Sequence, residues 1–201
     1  MGFSLPKNSR DLSLVICGSA GHGLESFETL LSRLGLSSDY HVCSTKEYMS
    51  RVRGGSNSIE IRFSPTGVSA PVDRIDLLVP LSLESIERIK DRITKDTLII
   101  GESGFVTGEI MAKCGQFIEI PFMEKAREIG HVIYANQVAL GTVASFLAID
   151  TALVEKSLRD FFKNKEKEIV EKNIEAARIG FGLGAGLTST SGEGHIDPQI
   201  E

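Results

Sequence analysis

Apolar runs closed by glycine or proline alternate with amphipathic stretches along the first two thirds of the chain, as in a protein whose strands and helices take turns. Leu12 to Cys17 is an apolar run broken only by Ser13, the pattern of a strand buried on both faces. It leads into Gly18-Ser19-Ala20-Gly21-His22-Gly23, after which Leu24, Phe27, Leu31 and Leu34 recur at helical spacing with Gly35 as the stop. Tyr40 to Ser44 predicts a short second strand, parallel to the first and reached by a crossover. Ser58 to Ser64 alternates with period two, leaving one side for solvent or a partner, and Pro65-Thr66-Gly67 predicts a hairpin turn into Val68 to Pro71. Asp73 to Pro80, Thr97 to Gly101 and Phe117 to Pro121 read as further strands, with a helix over Leu83 to Ile93 begun by Ser82. A helical third starts at Glu124 to Ile129. It continues through Asn136 to Gly141 into an apolar stretch, then Thr151 to Phe162 and Lys165 to Ile179. From Gly180 onward the glycine-rich composition predicts a flexible tail or linker, residues 181–201, after a single domain of residues 1–180.

Charge and composition narrow the chemistry. With 201 residues, 24% of them charged, a net charge of -5 and no Trp, the chain offers neither the basic field nor the stacking platforms of a nucleic-acid binder. No apolar run is long enough to span a membrane and the start lacks the layout of a signal peptide, so a cytoplasmic protein is expected. Cys17, Cys43 and Cys114 are scattered, and His22, His41, His131 and His195 share no ligand spacing. No metal site can be drawn from either set.

Two stretches carry candidate chemistry. Glycines at 18, 21 and 23 permit positive φ and leave no Cβ in the way of a ligand, and the following helix would aim free N–H groups at the turn. The same glycines equally suit a turn that only packs helix on strand. A dinucleotide reading fares poorly: the spacing departs from GxGxxG, Asp39 stands at the wrong edge of the sheet, and Glu47 lies past the end of the second strand. The second stretch is Arg51-Val52-Arg53-Gly54-Gly55-Ser56-Asn57. Two arginines at spacing two can converge on one anion or one acidic partner, or stand as surface residues. Leaving the C-terminal end of the second strand, they should hang over the sheet edge that carries the glycine turn.

Taken in order, these pieces resemble the gamma subunit, or gamma domain, of 2-oxoacid:ferredoxin oxidoreductases. Gly18 to Gly23 is similar to that family's G-x-[GA]-G-Q-G turn, Tyr48 to Asn57 to its arginine-Gly-Gly segment, and Asp76 to Pro80 to its following strand. Asn136 to Gly141 matches its N-x-[VA]-x-L-G helix and Asn173 to Gly180 its late helix. The resemblance implies a three-layer α/β/α fold, with a largely parallel, mixed sheet and a helical C-terminal third. It implies a non-catalytic part of an enzyme, inactive alone, that oxidises a 2-oxoacid such as pyruvate or 2-oxoglutarate to its acyl-CoA. The Ser50 to Arg53 segment favours 2-oxoglutarate slightly. Coenzyme A enters as a substrate, with Gly18, Ser19, Gly21, His22, Gly23, Arg51, Arg53, Gly54 and Gly55 as its contact residues. Thiamine diphosphate, Mg and iron–sulfur clusters would sit on partners: alpha and beta subunits, in some assemblies a ferredoxin-like delta subunit. Ferredoxin or flavodoxin would take the electrons. His22 replaces the family's Gln; both donate a hydrogen bond, but His also titrates near neutral pH. The other reading is a free-standing nucleotide- or phosphate-binding α/β module.

Overall fold

The computed structural model describes residues 11–19, 21–48 and 55–189. Its centre is β1 (Leu12–Ser19), flanked by an antiparallel β3 (Ser56–Ser64) and a parallel β4 (Leu77–Pro80). β2 (His41–Tyr48) lies outside β3, and β5 (Leu98–Gly101) and β6 (Gln116–Glu119) continue the parallel side, so the order is β2-β3-β1-β4-β5-β6. β1 alternates between two cores. Leu12, Leu14 and Ile16 meet one apolar cluster and Val15 and Cys17 the other, and buried Ser13, whose N–H donates to Asp76 Oδ2 at 2.7 Å, is the one polar residue of the run.

On the first face lie α1 (Leu24–Leu36), α4 (Phe122–Ile129), α5 (Ala135–Phe146), α6 (Thr151–Phe162) and α7 (Lys167–Ser189); on the second, α2 (Leu83–Ile89) and α3 (Gly108–Lys113). The three-layer arrangement and mixed sheet are as the resemblance implied. Phe27, Leu30, Leu31 and Leu34 of α1 are fully buried, each burial contributing roughly 1.5–3 kcal/mol.

Several local expectations are corrected. Gly35 is not a stop: α1 runs one residue further, and the glycine is there because a Cβ would strike the Phe63 ring. β2 points the same way as β1 but is not its neighbour, since β3 fills the place between them. The hairpin is therefore β2–β3. Residues 65–76 form no strand; Arg62 donates to the Ala70 carbonyl and Arg92 to those of Val72 and Asp73, clamping the segment across the sheet. The alternating side of β3 is not wet either, because Glu60 pairs with Arg92 and Arg62 with Asp11. α7 extends through Gly180 to Ser189, about nine residues into the stretch read as tail, 181–201. Gly141 and Gly180 explain the extension: a Cβ on either would run into the other helix's backbone, so the missing side chains let α5 and α7 lie in direct contact.

Candidate functional site at the C-terminal end of the sheet

α1 follows β1 onto one face of the sheet and α2 follows β4 onto the other. Between the C-terminal ends of β1 and β4 the two connections diverge, the position where open α/β sheets bind ligands. The glycine turn stands there. Gly21 and Gly23 have φ of 96° and 69°, as the sequence led one to expect. Among the described residues nothing lies within 4 Å of a Cβ built on Gly21, so they leave its backbone open to an approaching group. Gly23 serves differently. It caps α1 in a left-handed conformation, and a Cβ there would overlap the Asn136 amide. Gly18 keeps ordinary φ and is closely backed by His22 and Leu81. Close packing is thus realised at Gly18 and Gly23, while Gly21 is the position left to a ligand reading.

Asn136, 4% exposed at the start of α5, holds the turn in place. Its Nδ2 donates to the Gly23 carbonyl at 3.0 Å and to Ser26 Oγ at 2.9 Å, while Ser26 Oγ donates to the same carbonyl at 2.7 Å. The signal was in the sequence, a polar residue opening an apolar helix, but its connection to a turn 113 residues earlier was not. No side chain caps α1, and the N–H groups of a helix's first turn lack intrahelical acceptors, so its positive end faces the turn.

His22 donates its backbone N–H to the Ser19 carbonyl at 3.2 Å. Among the described residues its buried Nδ1 has no hydrogen-bond partner, and burial pushes its pKa down against the opposing pull of Glu84. Burial raises the Cys17 thiol to about 12, which removes it as a nucleophile. Among the described residues no group of three or more His, Cys, Asp or Glu could hold a metal.

Ser19 pairs with Ser56, and Asn57 pairs with both Gly18 and Tyr48. The β2–β3 connection therefore begins and ends at the edge that carries the glycine turn, as expected, though one strand further away than adjacent strands would give. Gly55, at φ 60°, lies at that end; Arg51, Arg53 and Gly54 fall outside the described residues, as does Ala20. β2 also runs on to Tyr48, so Glu47 stands inside the strand rather than past it. Exposed Tyr48 ends β2 here, its hydroxyl donating to Glu25 of α1 at 2.9 Å, and exposed Leu83 opens α2 just after β4.

The model for the family described as pyruvate ferredoxin/flavodoxin oxidoreductase matches residues 13–183. The chain belongs to this family. Within it, the resemblance to gamma subunits and gamma domains holds. The 2-oxoglutarate synthase subunit KorC of Archaeoglobus fulgidus is 26% identical over 189 residues, 93% of this chain and 95% of the relative. Among solved structures, the 2-oxoglutarate:ferredoxin oxidoreductase of Magnetococcus marinus, with 2-oxoglutarate, coenzyme A and succinyl-CoA bound, superposes with a TM-score of 0.83 at 25% identity. That match covers 96% of this chain but 34% of the Magnetococcus chain, so this chain spans about a third of that relative. The gamma subunit of a keto/oxoacid ferredoxin oxidoreductase from Geobacter sulfurreducens shares the fold over 99% of its length, with a TM-score of 0.67 at 18% identity. No helix among the described residues is long and apolar enough to cross a membrane.

Proposed function

We propose that this chain is the gamma subunit or domain of a cytoplasmic oxidoreductase that converts a 2-oxoacid, 2-oxoglutarate by preference, to its acyl-CoA. In this reading it covers the active site and admits coenzyme A while performing no redox chemistry. Thiamine diphosphate, Mg and the iron–sulfur clusters belong to the alpha, beta and delta partners, which pass electrons to ferredoxin or flavodoxin. The observation that carries it is the backbone at Gly21, left open by the described residues beside the positive end of α1, at the sheet edge where β2 ends and β3 begins. Such a turn suits the pyrophosphate of coenzyme A, with His22 as a side-chain donor and Arg51 and Arg53 as the fork for the 3′-phosphate. The full-length match to a 2-oxoglutarate synthase subunit and the coenzyme A in the Magnetococcus enzyme support the substrates. Exposed Tyr48 and Leu83 at this end of the sheet suit a face that other subunits cover.

The test is the Michaelis constant for coenzyme A in the assembled enzyme. A charge-assisted hydrogen bond contributes about 1.5–3 kcal/mol, so Arg53→Ala should raise that constant roughly ten- to a hundred-fold. An unchanged value in a fully assembled variant refutes the anion site. Failure to assemble would assign Arg53 to an acidic residue of a partner instead.

A further inference from the structure

The two edges of the sheet are built differently. β6 is four residues long and is followed closely by Pro121, both of which discourage another strand from adding to it. β2 has eight residues, pairs with β3 without a bulge from His41 to Tyr48, and contains no proline. Among the described residues no strand meets its outer side, and every position but Val42 and Cys43 is exposed. A lysine is a common guard of such an edge, but Lys46 is drawn back onto α1, its Nζ 3.1 Å from Glu28 Oε2. Ser44 and Tyr48 donate to Glu28 and Glu25 of the same helix at 2.6 and 2.9 Å, so the edge is fixed in place as well as bare.

We propose that β2 pairs antiparallel with β2 of a second copy of this chain, joining the two sheets about a two-fold axis perpendicular to them. The pairing does not depend on the coenzyme A reading. Such an axis keeps each face of the sheet on its own side, so residues that stand opposite are an even number of positions apart in sequence. Two registers leave only one residue of the strand over. With Ser44 on the axis, Cys43 faces Thr45, the stem of Lys46 lies against Val42, and Glu47 meets His41. With Thr45 on the axis, Glu47 meets only Cys43, and sliding further toward the C-terminus sets Lys46 or Glu47 against its own copy. Charge therefore selects the first register. The position of α1 fits the same axis. It lies above both strands of the hairpin, since a Cβ on Gly35 would meet Phe63 of β3 and Val42 of β2. Strands about 4.8 Å apart then bring the two α1 helices to about 10 Å from each other, the spacing of packed helices. Glu25, Thr29, Ser32 and Leu36 recur at helical spacing on the side that overhangs β2. Thr29 and Ser32, both small, come nearest the axis, and Leu36, 59% exposed in the single chain, is covered.

Sedimentation equilibrium of the full chain should give a dimer of the 21.8 kDa protomer. Ser44→Lys sets two ammonium groups face to face on the axis and should weaken association several-fold, with the circular dichroism of the wild type retained because Ser44 is exposed. Register is read by cross-linking. In Thr45→Cys, an added copper–phenanthroline oxidant should take two electrons from each facing pair of thiols, Cys43 of one copy and the new cysteine of the other. Two protons leave per bond formed, and disulfide-linked dimers appear on a non-reducing gel. Cys17 and Cys114 are buried and stay out of the reaction. Adding Cys43→Ser should abolish the cross-link. A monomeric wild-type chain overturns the proposal and leaves the edge to a strand of another protein. So does a dimer that Ser44→Lys leaves equally tight, or one that Thr45→Cys fails to link. A cross-link that survives Cys43→Ser puts Thr45 on the axis and overturns the register.

Discussion

Gly23 and Asn136 should behave as one unit in unfolding experiments, although they stand on different helices. Replacing Asn136 by Ala removes the two hydrogen bonds from Nδ2, at about 1 kcal/mol each, for a loss of about 2 kcal/mol. The Gly23 carbonyl is not left bare, because the Ser26 and Phe27 N–H groups and Ser26 Oγ still donate to it, so no further desolvation penalty is added. Replacing Gly23 by Ala costs about 1–2 kcal/mol for a Cβ held at positive φ. It also drives the Asn136 amide away, losing the same two bonds, for a total of about 3–4 kcal/mol. In the double variant those bonds are lost once, not twice, so it should also fall short of wild type by about 3–4 kcal/mol instead of the additive 5–6. Equilibrium unfolding in urea of the four proteins gives the coupling directly. Additivity within about 0.5 kcal/mol would refute the account of how the turn is anchored.

Three further outcomes are expected. Burial lowers the His22 pKa, so the unfolded chain binds more protons there. Its contribution is present above the ordinary value of 6.5 and lost as pH falls below it; melting temperatures from pH 8 to 5 should drop less in His22→Gln than in wild type. Gly180→Ala should cost about 3 kcal/mol or more by prying α7 from α5, whereas Gly182→Ala, with open space around its Cβ, should gain up to about 1 kcal/mol in helix propensity; equal denaturation midpoints would contradict the packing. The purified chain should be colourless and should not oxidise 2-oxoacids with a dye acceptor. An iron–sulfur absorption band or turnover in the absence of other subunits would overturn the assignment of redox chemistry to partners.

Elements whose local pattern and burial agree were legible in the sequence. Leu12 to Cys17 is apolar but for Ser13 because both cores need it, Thr151–Phe162 is the helix expected, and the positive φ at Gly21 and Gly23 follows from a sharp strand-to-helix turn. What the sequence concealed is non-local. Period-two alternation in Ser58 to Ser64 looks the same whether its polar side meets water or, as here, Arg92 and Asp11. The extension of α7 was hidden because glycine disfavours helix locally, while Gly180 is required by contact with α5. At the candidate site the turn was visible and its support was not. Neither the Asn136 tie nor the open outer edge of β2 can be read without knowing that β3 enters between β1 and β2.

That entry of β3 has a consequence for how the chain is made. A strand–helix–strand unit emerging from the ribosome usually pairs its two strands at once, but β1 and β2 share no hydrogen bonds in the finished fold. The Leu12 to Cys17 segment has no strand partner until Ser56 to Ser64 has been synthesised, and its second neighbour comes only with Leu77 to Pro80. At translation rates of about 5–20 residues per second, this central strand waits several seconds with both edges lacking their native partners. During that interval α1 can shield one face of it, leaving Val15 and Cys17 as the side a chaperone would have to cover.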